Sequence, residues 1–189
     1  MRRPFLAAPV LAALVAVAPA APASADTYND ATTGIYVATP DDFTISRAVR
    51  EGYDLVLDIN PVGSFPSRVE GQARFCGLYY RAAPSGETQQ WLNARWKDEA
   101  VLVQARDLVG RIMQVKSEET FTLRDVKGGD VVGLEFVGSW RQDPTAVFMM
   151  SLAHTPRGQL QMTCLLRSDQ AVKAGFALRA IRDTIKPPR

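Results

Sequence analysis

Two cysteines, Cys76 and Cys164, lie 88 residues apart, each in a segment where apolar and polar residues alternate. In Gln72–Arg81, Cys76 shares a strand face with Leu78 and Tyr80. In Gln159–Arg167, Cys164 shares one with Leu160, Met162 and Leu166. Only one intramolecular pairing exists, and a bridge tolerates Cα separations up to about 7 Å. A Cys76–Cys164 disulfide would therefore force these two strands to be neighbours, with both sulfurs on one apolar, helix-covered face. Two separate buried thiols are the alternative that the pattern leaves open. The lack of a C-x-x-C spacing and the buried reading of both positions disfavour a redox enzyme.

The N-terminus favours the bridge. Met1-Arg2-Arg3 is charged, Phe5–Ala18 is apolar apart from Pro9, and Ala23-Ser24-Ala25 supplies small residues. This is the form of a secretory signal peptide. The apolar run is shorter than the roughly 20 residues that span a bilayer. Residues 1–25 are expected to be removed, leaving Asp26 as the mature N-terminus and no transmembrane segment. No cysteine stands near the cleavage point, which argues against a lipoprotein. Arg2-Arg3-Pro4-Phe5-Leu6 resembles the twin-arginine pattern, but the very short n-region favours the ordinary Sec route. Export to the periplasm or beyond is an oxidising destination, where an even cysteine count reads as a disulfide.

Loss of the signal also changes the charge. The chain has 22 Lys and Arg against 20 Asp and Glu, and removing Arg2 and Arg3 leaves equal numbers. A neutral domain without charge blocks has no electrostatic footprint for nucleic acid. Residues 26–189 are the right length for one domain with its own core.

Residues 26–33 read as a loose polar lead-in, 34–39 and 43–46 as short strands, and Tyr53–Ile59 as the clearest alternation. Residues 61–71, rich in Pro, Gly and Ser, read as a surface loop. From Thr88 to about Val109 the pattern turns helical. Ser85 or Thr88 would cap that helix, and Trp91, Ala94, Leu102, Ala105 and Val109 would lie on one face. Strands are expected over 120–124, 131–140, 146–154 and 159–167, joined by turns at Lys127–Asp130, Arg141–Pro144 and Thr155–Gly158. A closing helix carries Ala171, Ala174, Leu178, Ile181 and Ile185 on one face, with Ser168 as its expected cap and Asp169 in its first turn. Hairpin-linked strands with one helix midway and one at the end predict an α+β fold, an antiparallel β-sheet covered by helices.

From about Thr88 to Lys186, this element order resembles the PsbP/DcrB-like group of exported α/β/α sandwich proteins. Gly128–Phe136 is similar to that group's central hairpin, and Thr155–Lys186 to its last strand and terminal helix. The resemblance implies a non-catalytic accessory or binding role. It carries over no functional residue.

No cofactor motif is present. His154, the single histidine, stands at a strand end. A hydrolase would recruit it as general base, but no G-x-S-x-G elbow accompanies it and Ser151 lies on the opposite strand face. One histidine does not make a zinc site. The pairs Asp41-Asp42 and Glu118-Glu119 lack calcium-loop spacing and read as solvated charges. No catalytic residue is assigned. Tyr79 and Arg81, on the strand face opposite Cys76, and Trp140-Arg141 at another strand end combine rings with guanidinium groups. That combination suits recognition of a planar, anionic or protein surface. Core tryptophans and snorkelling arginines are the plainer reading. The chain thus reads as a binding or accessory module of the cell envelope, its partner an envelope protein or small ligand. A periplasmic hydrolase using His154 or a carboxylate pair is the alternative.

Overall fold

The computed structural model describes residues 26–188, so the expected signal peptide lies outside the described residues. A short ribbon of β1 (Thr27–Asn29) and β2 (Tyr36–Ala38) precedes an antiparallel seven-stranded sheet. The sheet consists of β3 (Phe43–Ala48), β4 (Leu55–Pro61), β5 (Cys76–Ala82), β6 (Met113–Arg124), β7 (Asp130–Trp140), β8 (Ala146–Thr155) and β9 (Gly158–Arg167), in the spatial order β3-β4-β5-β9-β8-β7-β6. Helices α1 (Gln89–Arg95) and α2 (Glu99–Gly110) cross between β5 and β6, and α3 (Ala171–Thr184) closes the chain. Two hairpin-linked blocks, β3–β5 and β6–β9, therefore meet along the β5/β9 seam.

That seam is where the cysteines sit. Cys76 and Cys164 are direct partners across β5 and β9, joined by a disulfide with their Cα atoms 4.1 Å apart. Both belong to the core beneath α3, with Leu57, Leu78, Leu160, Met162, Leu178 and Ile181. On the other face, α1 and α2 shelter a second core of Trp96, Val109, Met113, Leu134, Phe136 and Met150. The strand period of two divides β8 between the faces: Met149 and Ala153 enter the first core, Met150 the second. The result is an α/β/α sandwich, the architecture expected.

A buried ionic cluster locks α3 to the sheet. Glu135 of β7 is 1% exposed and meets Arg182 and Arg179 of α3, the latter at 2.7 Å. Ser151 Oγ donates to the same carboxylate at 3.0 Å. Glu135 stands opposite Glu119 of β6, and like charges so placed repel. Arg179 bridges both, reaching Glu119 at 3.1 Å. Arg182 also lies over the Phe121 ring at 4.4 Å.

Four local expectations are corrected. The single helix over 88–109 is two helices. Thr88 caps α1 by accepting from Trp91 N, but Asp98 turns out of the helix and caps α2, accepting from Ala100 N at 2.9 Å. The break resets the helical phase, so Trp91 is exposed while Leu92 and Trp96 are buried. Ser168 does not cap α3, which starts at Ala171 without a side-chain cap. Ser168 N donates to Thr145 O, Asp169 pairs with Arg167, and Gln170 accepts from the N–H of Ser67 in the 62–75 loop. The strand expected at 120–124 is the end of a longer one, β6, whose earlier charged half hid its alternation.

The lead-in at 26–33 is not loose. Asp30 accepts from both the backbone and the hydroxyl of Thr33 at 2.8 Å, an Asx-type turn between β1 and β2. Thr184 at the end of α3 donates to Ala38 O and accepts from Ala38 N. Asp26 accepts from Ile45 N at 2.8 Å. The Asp30 turn is local, but the last two partners are 146 and 19 residues away, beyond the reach of any local pattern.

Candidate functional site

Helices α1 and α2 cover β6, β7 and β8 but leave the same face of β9, β5 and β4 open, and a cleft of about 580 Å³ forms at the step. That size lies within the range of small-molecule pockets. One wall is the flank of α2 and the turn after it, with Val101, Ala105, Leu108 and Ile112. The floor is the sheet: Met150, Leu152 and His154 of β8, then Gln159 and Gln161 of β9. Register sets these floor residues side by side, with Leu152 opposite Gln161, His154 opposite Gln159, and Tyr79 of β5 opposite Gln161 on the far side. Arg95, Trp96 and Tyr53 close the end.

The cleft is graded along its length. From Met150 to His154 the floor runs about 13 Å at the usual strand rise. Met150, Val109 and Ile112 make one end apolar, while His154, Gln159 and Arg95 make the other polar. Leu108 stands at the rim, 62% exposed.

Burial and the neighbouring Arg95 charge hold the His154 imidazole below its ordinary pKa, so it is neutral at pH 7. Its ring lies 5.2 Å from that of Trp96. The unfolded chain therefore binds a proton near pH 6.5 that the folded chain refuses, and stability falls as pH drops below that value. Asp58, raised by burial, acts in the opposite sense at lower pH. The diagnostic quantity is thus a difference: urea midpoints of wild type and His154→Gln should diverge between pH 7 and 5.5, the wild type losing more. Parallel curves would show that the imidazole titrates normally.

Beside the cleft, Tyr79 and Arg81 form an aromatic and cationic surface. The Tyr53 and Tyr79 rings stand 5.1 Å apart, Arg81 lies 5.2 Å from the Tyr53 ring, and Arg50 lies 6.0 Å from that of Tyr79. Arg81 Nε donates to Gly52 O at 2.8 Å and Arg74 donates to the Tyr79 hydroxyl at 3.1 Å. Tyr79 lies back across Gly77, where a Cβ would run into its phenol ring. Gly77→Ala should therefore displace the Tyr79 ring and separate it from Tyr53, measurable as loss of near-ultraviolet tyrosine dichroism. An unchanged spectrum would contradict the packing.

Trp140 and Arg141 are not brought to this place. Trp140 packs with Val69, Ala146 and Leu165 at the opposite end of the sheet, and Arg141 donates to Gly110 O at the end of α2. The hydrolase constellations are also kept apart. Ser151 binds Glu135 on the α3 face while His154 lines the cleft on the other. Glu118 pairs with Arg106 of α2 and Glu119 with Arg179 of α3, since consecutive strand residues face opposite ways. Among the described residues, no group of three or more His, Cys, Asp or Glu side chains could hold a metal ion.

The sequence reading missed Tyr53, Gln159, Gln161 and the α2 flank. Gln159 and Gln161 were legible as the polar face of their strand; nothing local said that this face borders a cleft.

The solution structure of cyanobacterial PsbP (CyanoP) from Synechocystis sp. PCC 6803 superimposes with a TM-score of 0.50 at 13% identity, covering 92% of this chain and 98% of that one. The fold resembles that of PsbP. At this identity the likeness is one of fold alone. No family model matches the chain and no curated protein matches it significantly. Among the described residues no helix is long and apolar enough to cross a membrane.

Proposed function

We propose that this protein is exported, loses residues 1–25, and acts in the cell envelope as a non-catalytic module that binds a small ligand in the α2/β9 cleft, with Tyr79 and Arg81 at its edge. The observation that carries this reading is the cleft itself, apolar at its Met150 and Ile112 end and polar at its His154 and Arg95 end. The disulfide supports the extracytoplasmic setting.

Processing is tested by intact mass. Exported protein should begin at Asp26, whose side chain already holds Ile45 N in the fold. Recovery of only the full-length chain from membranes would contradict cleavage.

The binding reading is tested by a small-molecule thermal-shift screen with Leu108→Arg, which places a long charged side chain at the cleft rim. Ligands that raise the melting temperature of the wild type should fail to do so for a folded Leu108→Arg protein. His154→Gln keeps a hydrogen-bonding group on the floor and should leave binding within about fivefold, since a net hydrogen bond contributes only about 1 kcal/mol. A hydrolytic activity abolished by His154→Gln in a folded protein would establish the hydrolase reading instead.

A further inference from the structure

We infer that the cleft takes a single-chain anionic amphiphile, such as a medium-chain carboxylate, with its head at the Arg95 end and its tail along α2; this rests on the cleft being the binding site. No carboxylate lines the cleft, whereas Arg95 does and Arg81 reaches Tyr53 in its wall. Arginines elsewhere on this protein commonly pair with acids, as do Arg106, Arg124, Arg167 and Arg179. Arg95 and Arg81 pair with no carboxylate among the described residues, and each is held over a ring instead, Arg95 5.0 Å from Trp91. Trp96, 5% exposed, lines the same end and keeps a buried indole N–H without an acceptor. Gln159 and Gln161 add amide donors on the floor.

This end therefore carries positive charge with no carboxylate to balance it, and a guanidinium so placed favours a ligand whose head brings anionic oxygen acceptors. The other end fixes the rest of the ligand. Val109, Leu108, Ile112 and Met150 offer no polar side chain, so what lies there is hydrocarbon. A concave site with a polar end and an apolar end matches one free chain, rather than the flat surface of a bilayer.

The test is calorimetric titration of the purified exported protein with three probes of similar tail: decanoate, decyltrimethylammonium and the uncharged octyl glucoside. Tryptophan fluorescence, to which Trp96 contributes, gives a second readout. Decanoate is expected to bind at least tenfold more tightly than the cation. Arg95→Gln should weaken decanoate by about tenfold, the usual worth of a charge-assisted hydrogen bond, and Arg81→Gln, which acts from behind Tyr53, by less, both without changing the uncharged probe. Raising salt should weaken decanoate alone. Equal binding of all three probes, unaffected by either substitution, would overturn the anionic assignment while leaving the cleft as a binding site. Binding of none of them, with Leu108→Arg behaving as wild type throughout, would overturn both. Association with phosphatidylglycerol vesicles but not with free decanoate would overturn the assignment in favour of a membrane surface.

Discussion

Glu135→Ala should destabilise the folded protein by about 3–5 kcal/mol, the cost of breaking a buried ion pair from one side. The carboxylate is 1% exposed and is shared by Arg182, Arg179 and Ser151. Removing it takes away the buried partner of the Arg182 guanidinium, 8% exposed, and leaves it only the half-exposed Asp183 at 2.8 Å. Arg179 likewise keeps one carboxylate, Glu119 at 3.1 Å, and is itself more exposed. The loss is expected as a lower urea midpoint with little change in the slope of the transition. A double variant, Glu135→Leu with Arg182→Met, should recover most of it, since apolar side chains can replace a buried pair without a desolvation cost. A loss below about 1 kcal/mol for Glu135→Ala would show that α3 is held by its apolar stripe alone. Failure of the double variant to recover would show that the charges themselves stabilise the α3 interface.

Reduction of Cys76–Cys164, or replacement of both residues by alanine, is the second large effect. Closing an 88-residue separation removes unfolded-state entropy worth about 4–5 kcal/mol in the chain-entropy model, an upper figure for a compact unfolded chain. The bridge fastens β5 to β9 at the seam between the two hairpin blocks, and the chain it spans contains both short helices and three strands. The reduced protein should nonetheless remain folded, because the seam is also held by a ladder from Cys76 opposite Cys164 to Ala82 opposite Gly158 and by the core under α3. A thermal scan with and without reductant checks this. Complete loss of cooperative unfolding on reduction would mean that the two blocks do not hold together without the bridge, and an unchanged midpoint would mean that the bridge constrains nothing.

The candidate site was only partly legible. Tyr79 and Arg81 could be singled out because strand parity placed them opposite Cys76, and parity survives folding intact. Trp140 and Arg141 had the same chemistry in sequence but serve the far end of the sheet, because β7 lies three strands away from β5 and its end runs toward Phe75 rather than Ala82. His154 and Ser151 were correctly set on opposite faces. The cleft wall was not foreseen, since it depends on a break at Asp98 that swings α2 across β6 and leaves β9 open. A single aspartate can cap a new helix or sit exposed within a continuing one, and only its bond to Ala100 N decides.

Periodicity and cysteine arithmetic alone therefore determined the strand faces, the α+β class, the closing helix and, given an oxidising destination, the bridge that makes β5 and β9 neighbours. These follow from local geometry, in which each side chain's direction is set within one or two residues. The anchoring of the 26–38 ribbon, the burial of Glu135 under two arginines and the existence of the cleft were decided by tertiary structure. Each arises where residues distant in the chain meet, and the free energy of such a meeting depends on packing and desolvation that no short stretch of sequence contains.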